Sequence, residues 1–105
     1  MRLTADQPFL YSEFAGDVEM KEIIELFVAE LPKRTMAMQS AMNAGHADTV
    51  RVLAHQLKGA AGGYGFSSLG EASALVESAV REEMDPNIVR SRIGTLIALA
   101  ARVRA

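Results

Sequence analysis

The chain has 105 residues, half of them hydrophobic and 23% charged, a balance that suits one compact folded domain rather than a disordered or two-domain chain. Its net charge of −2, with the basic residues scattered, supplies no basic stripe for nucleic acid. The absence of cysteine removes a disulfide framework, thiolate chemistry and cysteine-based zinc or iron–sulfur sites.

In chain order, Leu3 to Phe14 mixes Pro8 with Phe9, Leu10, Tyr11 and Phe14 and reads as a strap or one short helix across the end of a core. Asp17 offers an N-cap, with Glu19 and Glu22 following where the helix dipole favours negative charge. Met20, Ile23, Ile24, Phe27, Val28 and Leu31 then recur at helical spacing. Pro32 removes a rung of the hydrogen-bond ladder and predicts a kink or break. The same face resumes through Thr35, Met38 and Met42, where methionine reads as flexible core filling, and stops at Asn43-Ala44-Gly45. The first helix is thus expected over about 18–43.

A second helix over 47–63 carries Val50, Leu53, Ala54, Leu57, Ala60, Ala61 and Tyr64 on one broad face, with Gly65 placed to end it. A third, over 67–82, carries Leu69, Ala72, Leu75, Val76, Ala79 and Val80, and Glu77 and Arg81 read as a favourable i,i+4 pair. Asp85-Pro86 is an N-cap with proline at the first helical position. The fourth helix, over 86–103, carries Val89, Ile93, Leu96, Ala100 and Val103, and Arg102 and Arg104 suit its negative end. No segment alternates with period two. The expectation is an all-α, antiparallel up-and-down four-helix bundle, one domain over 1–105, with the N-terminal short helix or strap beside it.

Met1 to Asp6 has no apolar run of the signal-peptide kind, and small secreted domains often carry disulfides, so a cytoplasmic location is expected. Ile93 to Ala101 reaches about half of the ~20 residues a membrane span needs, so no membrane partner is expected.

The chemistry-bearing stretch is His55-Gln56-Leu57-Lys58-Gly59-Ala60-Ala61-Gly62-Gly63-Tyr64-Gly65. At about 100° per residue, His55 points away from the side of Leu53 and Leu57, with Arg51, Lys58, Gly59 and Gly62 on or near its face. Neutral imidazole is a competent nucleophile, and Lys58 places an ammonium where it favours an anion carried on His55. A mid-helix glycine costs about 0.5–1 kcal/mol relative to alanine. Gly59 therefore invites a reason: clearance for another molecule's reactive group, or a plainly structural one, an unoptimised surface position or close packing. The helical pattern leaves both open.

His55-x-Leu57-Lys58-Gly59-Ala60-Ala61-x-x-x-Gly65 resembles the signature of histidine-containing phosphotransfer (HPt) domains of two-component phosphorelays. Phe27-x-x-Glu30-Leu31-Pro32, Ala44-Gly45 before the histidine helix and Leu75-x-Glu77 after it extend the resemblance, which covers about Asp17 to Arg81 and the last helix by position. His46 departs from it, standing near a helix start where a small or acidic residue is usual.

The resemblance implies that His55 accepts a phosphoryl group from the phosphoaspartate of a receiver domain, or from a sensor or hybrid histidine kinase, and passes it to a receiver aspartate. Lys58 would orient and neutralise the group. Gly59, with Gly62 and Arg51 beside it, would face the docking response regulator. Mg2+ would sit in the partner receiver's site, leaving this chain without a cofactor of its own. It would be a phosphoryl carrier with no autonomous kinase activity.

Competing readings are weaker on the residues. His46 and His55 have no carboxylate or second histidine at i±3 or i±4, which argues against a metal site. Gly63-Tyr64-Gly65 meets Ser68 where a dinucleotide fingerprint needs its third glycine, and no strand precedes it. A self-sufficient enzyme using His55 as a base would need orienting carboxylates and a pocket, and the pattern offers little of either. A helical adaptor that binds signalling partners without phosphate is the alternative. It has no chemical need to keep His55, Lys58 and Gly59 together.

Overall fold

The structure, a computed structural model, describes residues 8–105. The part of the strap at Leu3 to Gln7 lies outside the described residues. A 3-10 turn, Val18–Met20, leads into four helices: α1 (Lys21–Asn43), α2 (Ala47–Gly63), α3 (Ser67–Arg81) and α4 (Pro86–Ala100). Successive helices pack side by side and α4 closes against α1, so the ring order is α1, α2, α3, α4. The rings of Phe27, early in α1, and Tyr64, just past α2, lie 5.1 Å apart, which sets these two helices antiparallel. The fold is therefore an antiparallel four-helix bundle. Among the described residues, no helix is long and apolar enough to cross a membrane.

The apolar stripes meet as their periodicity predicts. Ile24, Phe27, Leu31, Met38 and Met42 from α1 bury against Val50, Ala54, Leu57 and Ala61 from α2. Leu69, Ala72, Val76 and Ala79 from α3, with Val89, Ile93 and Leu96 from α4, complete the core. Each large side chain so buried contributes roughly 1.5–3 kcal/mol. Ile23 and Leu75, assigned to the core face by spacing, lie at the edges of their stripes and are exposed instead.

Reversals between helices follow one recipe. A residue with positive φ turns the chain after α1 (Gly45, +78°), α2 (Gly65, +84°) and α3 (Glu83, +53°). The next N–H then bonds back into the helix, His46 to the Ala41 carbonyl at 2.9 Å, Phe66 to Ala61 at 2.8 Å and Met84 to Ala79 at 2.9 Å. Asp85 caps α4 as expected, its carboxylate accepting from the Asn87 N–H at 2.8 Å.

Three details correct the sequence reading. Of the kink or break expected at Pro32, the break does not occur: α1 runs unbroken through it for 23 residues. The proline ring lies on the exposed face, where the unpaired carbonyl one turn earlier can be hydrated rather than buried. Asp17 does cap, accepting from the Glu19 N–H at 2.9 Å, but it caps the 3-10 turn rather than α1 itself. The fourth helix stops at Ala100, short of Val103. Val103 instead forms a parallel bridge with Leu10 of the strap. Leu10 donates to the Arg102 carbonyl at 2.8 Å, and Arg104 donates to the Leu10 carbonyl at 2.9 Å. Leaving the helix buries Val103 and gives the strap backbone its partners.

Candidate functional site

Leu57 and Ala61 fix the rotation of α2 by facing the core with no exposed surface. That rotation turns His55 and Lys58 outward along the seam with α3. Their side chains are 63% and 40% accessible, whereas that of Glu77, reaching across from α3, is only 7% accessible. Glu77 continues a stripe of small buried residues, Gly70 and Ser73, at i−7 and i−4. These let α3 approach closely: a β-carbon on Gly70 would lie 3.6 Å from the Lys58 carbonyl oxygen. The carboxylate therefore emerges directly beneath the histidine.

Three donors converge on it. Lys58 Nζ lies 2.9 Å from Oε1. His55 Nδ1 lies 2.8 Å from Oε2, and Arg81 Nη1 approaches the same oxygen at 3.4 Å. The Lys58 hydrogen bond is the main reason the Glu77 carboxyl sits below its ordinary pKa, burial opposes the shift, and the His55 hydrogen bond adds to it. An ionised carboxylate only accepts, so Nδ1 carries the hydrogen of this bond. In the neutral ring the lone pair then resides on Nε2, which has no hydrogen-bond partner among the described residues. One contact thus sets both the tautomer and the aim of the imidazole.

The orienting carboxylate that the sequence reading found wanting is present. Its role was missed because Glu77 had an obvious partner in Arg81 on its own helix. The available signal was a charged residue in register with Gly70 and Ser73, and the Leu75-x-Glu77 element of the resemblance. Gly59 and Gly62 are exposed, and a β-carbon on either would meet no atom within 4 Å, which excludes close packing as the reason for glycine at these positions. Arg51 does not join the cluster; its Nε and Nη2 both lie 3.0 Å from Asp48 Oδ1, one turn back. His46 is exposed at the N-cap of α2 and makes no side-chain cap bond. Val52, one turn before His55, is 38% exposed, and Ile23 and Leu26 on α1 line a shallow hollow with Glu30, Arg34 and Tyr64.

His55 thus presents an outward ring nitrogen beside the Lys58 ammonium on the surface of an antiparallel helical bundle. The profile of the Hpt domain family matches residues 22–105, and the chain belongs to that family. Hpt domains serve phosphotransfer in two-component systems and interact with receiver domains and histidine kinases. No match was found among curated proteins or solved structures.

Proposed function

We propose that His55 is a phosphoacceptor that takes a phosphoryl group from a receiver phosphoaspartate, or from a kinase, and returns it to a receiver aspartate. The observation that carries the reading is the 2.8 Å contact between His55 Nδ1 and the buried Glu77 carboxylate, which leaves Nε2 outward. In the transfer the Nε2 lone pair forms the N–P bond as the P–O bond to the donor aspartate breaks, and that electron pair leaves with the donor carboxylate. Nδ1 keeps its proton, so the ring becomes a phosphorylated imidazolium. Glu77 lies where this positive charge develops, and Lys58 is close enough to turn toward the phosphoryl oxygens. Positioning and charge stabilisation are most of what phosphoryl transfer asks of a protein.

The carrier is completed by its partner. The receiver would bring the aspartate and the Mg2+ ion, and Gly59 and Gly62 leave the approach to Nε2 free of side chains. Val52, Ile23 and Leu26 offer apolar area, and Arg51 a rim charge, of the kind transient interfaces use.

The test is incubation with a phosphorylated receiver, followed by assay for acid-labile, base-stable phosphate on the chain. Wild type takes the label and His55→Gln takes none. Equal labelling of the two removes the assignment, and no labelling of a folded wild type by any receiver favours the adaptor alternative.

A further inference from the structure

The Arg81–Glu77 pair differs from an ordinary helix-surface pair. Such pairs stand with both side chains in water and contribute little. Here the carboxylate is only 7% accessible and the guanidinium 58%. Glu77 already has Lys58 on its other oxygen at 2.9 Å, so neutralising this carboxylate does not require Arg81. The Arg81 contact, at 3.4 Å, is longer than the ~2.7–2.9 Å of a close charge-assisted bond, and it shares its oxygen with His55 Nδ1. With a neutral ring, the cluster holds two cations for one carboxylate. The more loosely held of them stands one oxygen atom away from the imidazole, on an exposed and rotatable side chain.

We propose that Arg81 is a second phosphoryl-binding residue, parked on Glu77 while His55 is free and released to the phosphoryl oxygens once the N–P bond has formed. This rests on His55 being the phosphoacceptor. A phosphoryl group adds charge of about −1.5 to −2 and three acceptor oxygens. A guanidinium fork meets two of those oxygens together, which an ammonium does not. The new imidazolium meanwhile replaces Arg81 as the positive neighbour of Glu77 Oε2. Lys58 and Arg81, reaching the site from different helices, then hold the phosphoryl group from two sides.

The experiment uses phosphoramidate, a small donor that needs no docking partner. Its P–N bond breaks as the Nε2–P bond forms, and ammonia leaves. Labelling rate and phosphohistidine half-life are measured for wild type, Arg81→Gln, Arg81→Lys and Arg90→Gln. Arg90 is exposed on α4, which does not pack against α2, and its loss changes net charge by the same amount. Arg81→Gln is expected to slow labelling or shorten the half-life about fivefold to twentyfold, roughly the value of one charge-assisted contact. Arg81→Lys recovers part of the loss, and Arg90→Gln matches wild type. A wild type that takes no label, with His55→Gln its equal, overturns the phosphoacceptor reading and this one with it. A labelled wild type whose rate and half-life are matched by Arg81→Gln overturns the role of Arg81 alone. So does an equal loss in Arg90→Gln, which would trace the effect to net charge.

Discussion

The middle of α2 and its C-terminal end are built in opposite ways. Around His55 the surface is open, and one carboxylate from α3 orients the ring. At Gly65 the helix is clamped by the strap. The Ser12 hydroxyl donates to the Tyr64 carbonyl at 2.6 Å and accepts from the Phe14 N–H at 2.9 Å, and the Glu13 N–H donates to the Gly65 carbonyl at 2.9 Å. Glycine appears in both places for unrelated reasons. Gly59 leaves space above the helix, whereas Gly65 takes a φ of +84° and has Ser12 Oγ within 2.6 Å of where a β-carbon would stand. His55 thus rides on a segment fixed at its end, so a single hydrogen bond suffices to aim its ring.

The largest effect that would break this contrast is expected at the clamp. Gly65→Ala must hold alanine in the left-handed region and displace Ser12, Phe14 or the Glu13 backbone. It should lower stability by about 2–4 kcal/mol, read as a lower midpoint of urea unfolding. Labelling of His55 at temperatures where the variant is folded should persist, because no site group is touched. A Gly65→Ala protein as stable as wild type would show that the clamp does not anchor the helix.

The next effect lies at the carboxylate and depends on pH. The folded-state pKa of Glu77 is depressed, chiefly by Lys58, so its contribution to stability is fully present above the unfolded-state carboxylate value, near 4.5, and is lost as pH falls through the lower folded value. Glu77→Gln should therefore unfold at less urea than wild type at pH 7, with the gap narrowing as the solution is acidified below about pH 4. It should also slow labelling of His55, since an amide cannot balance the imidazolium charge. A gap that stays constant from pH 7 to pH 3 would mean that the carboxylate's charge contributes nothing.

How far these two regions were legible in the sequence follows from the range of the interactions that make them. Helix faces and ends are local: Gly45, Gly65 and Asp85-Pro86 mark reversals that the chain makes at those residues. Glu83 ends α3 with φ of +53° although no glycine signals it. The pairing of Leu10 with Val103 joins opposite ends of the chain and leaves no periodic trace, so Val103 read as helix. Pro32 carried a real local signal, but its consequence depended on which face it occupied. The outward aim of His55 and Lys58 was legible because it needs only the rotation of one helix. Glu77 was not, because its meaning depends on the register of α3 against α2, which Gly70 helps set by close approach.

The smallest effect sharpens the contrast most, because it separates clearance from chemistry within the open region. Gly59 is helical and unobstructed, so Gly59→Ala should raise stability by about 0.5–1 kcal/mol, opposite in sign to Gly65→Ala just past the end of that helix. A bulkier replacement, Gly59→Leu, should leave labelling by phosphoramidate near the wild-type rate, since a small donor reaches Nε2 past one added side chain. Transfer from a phosphorylated receiver should slow, because a protein surface has to lie down where the leucine stands. Equal slowing with both donors would place the need for glycine at the imidazole itself. Slowing with neither would return Gly59 to an unoptimised surface position, leaving the approach to His55 to be set elsewhere on α1 and α2.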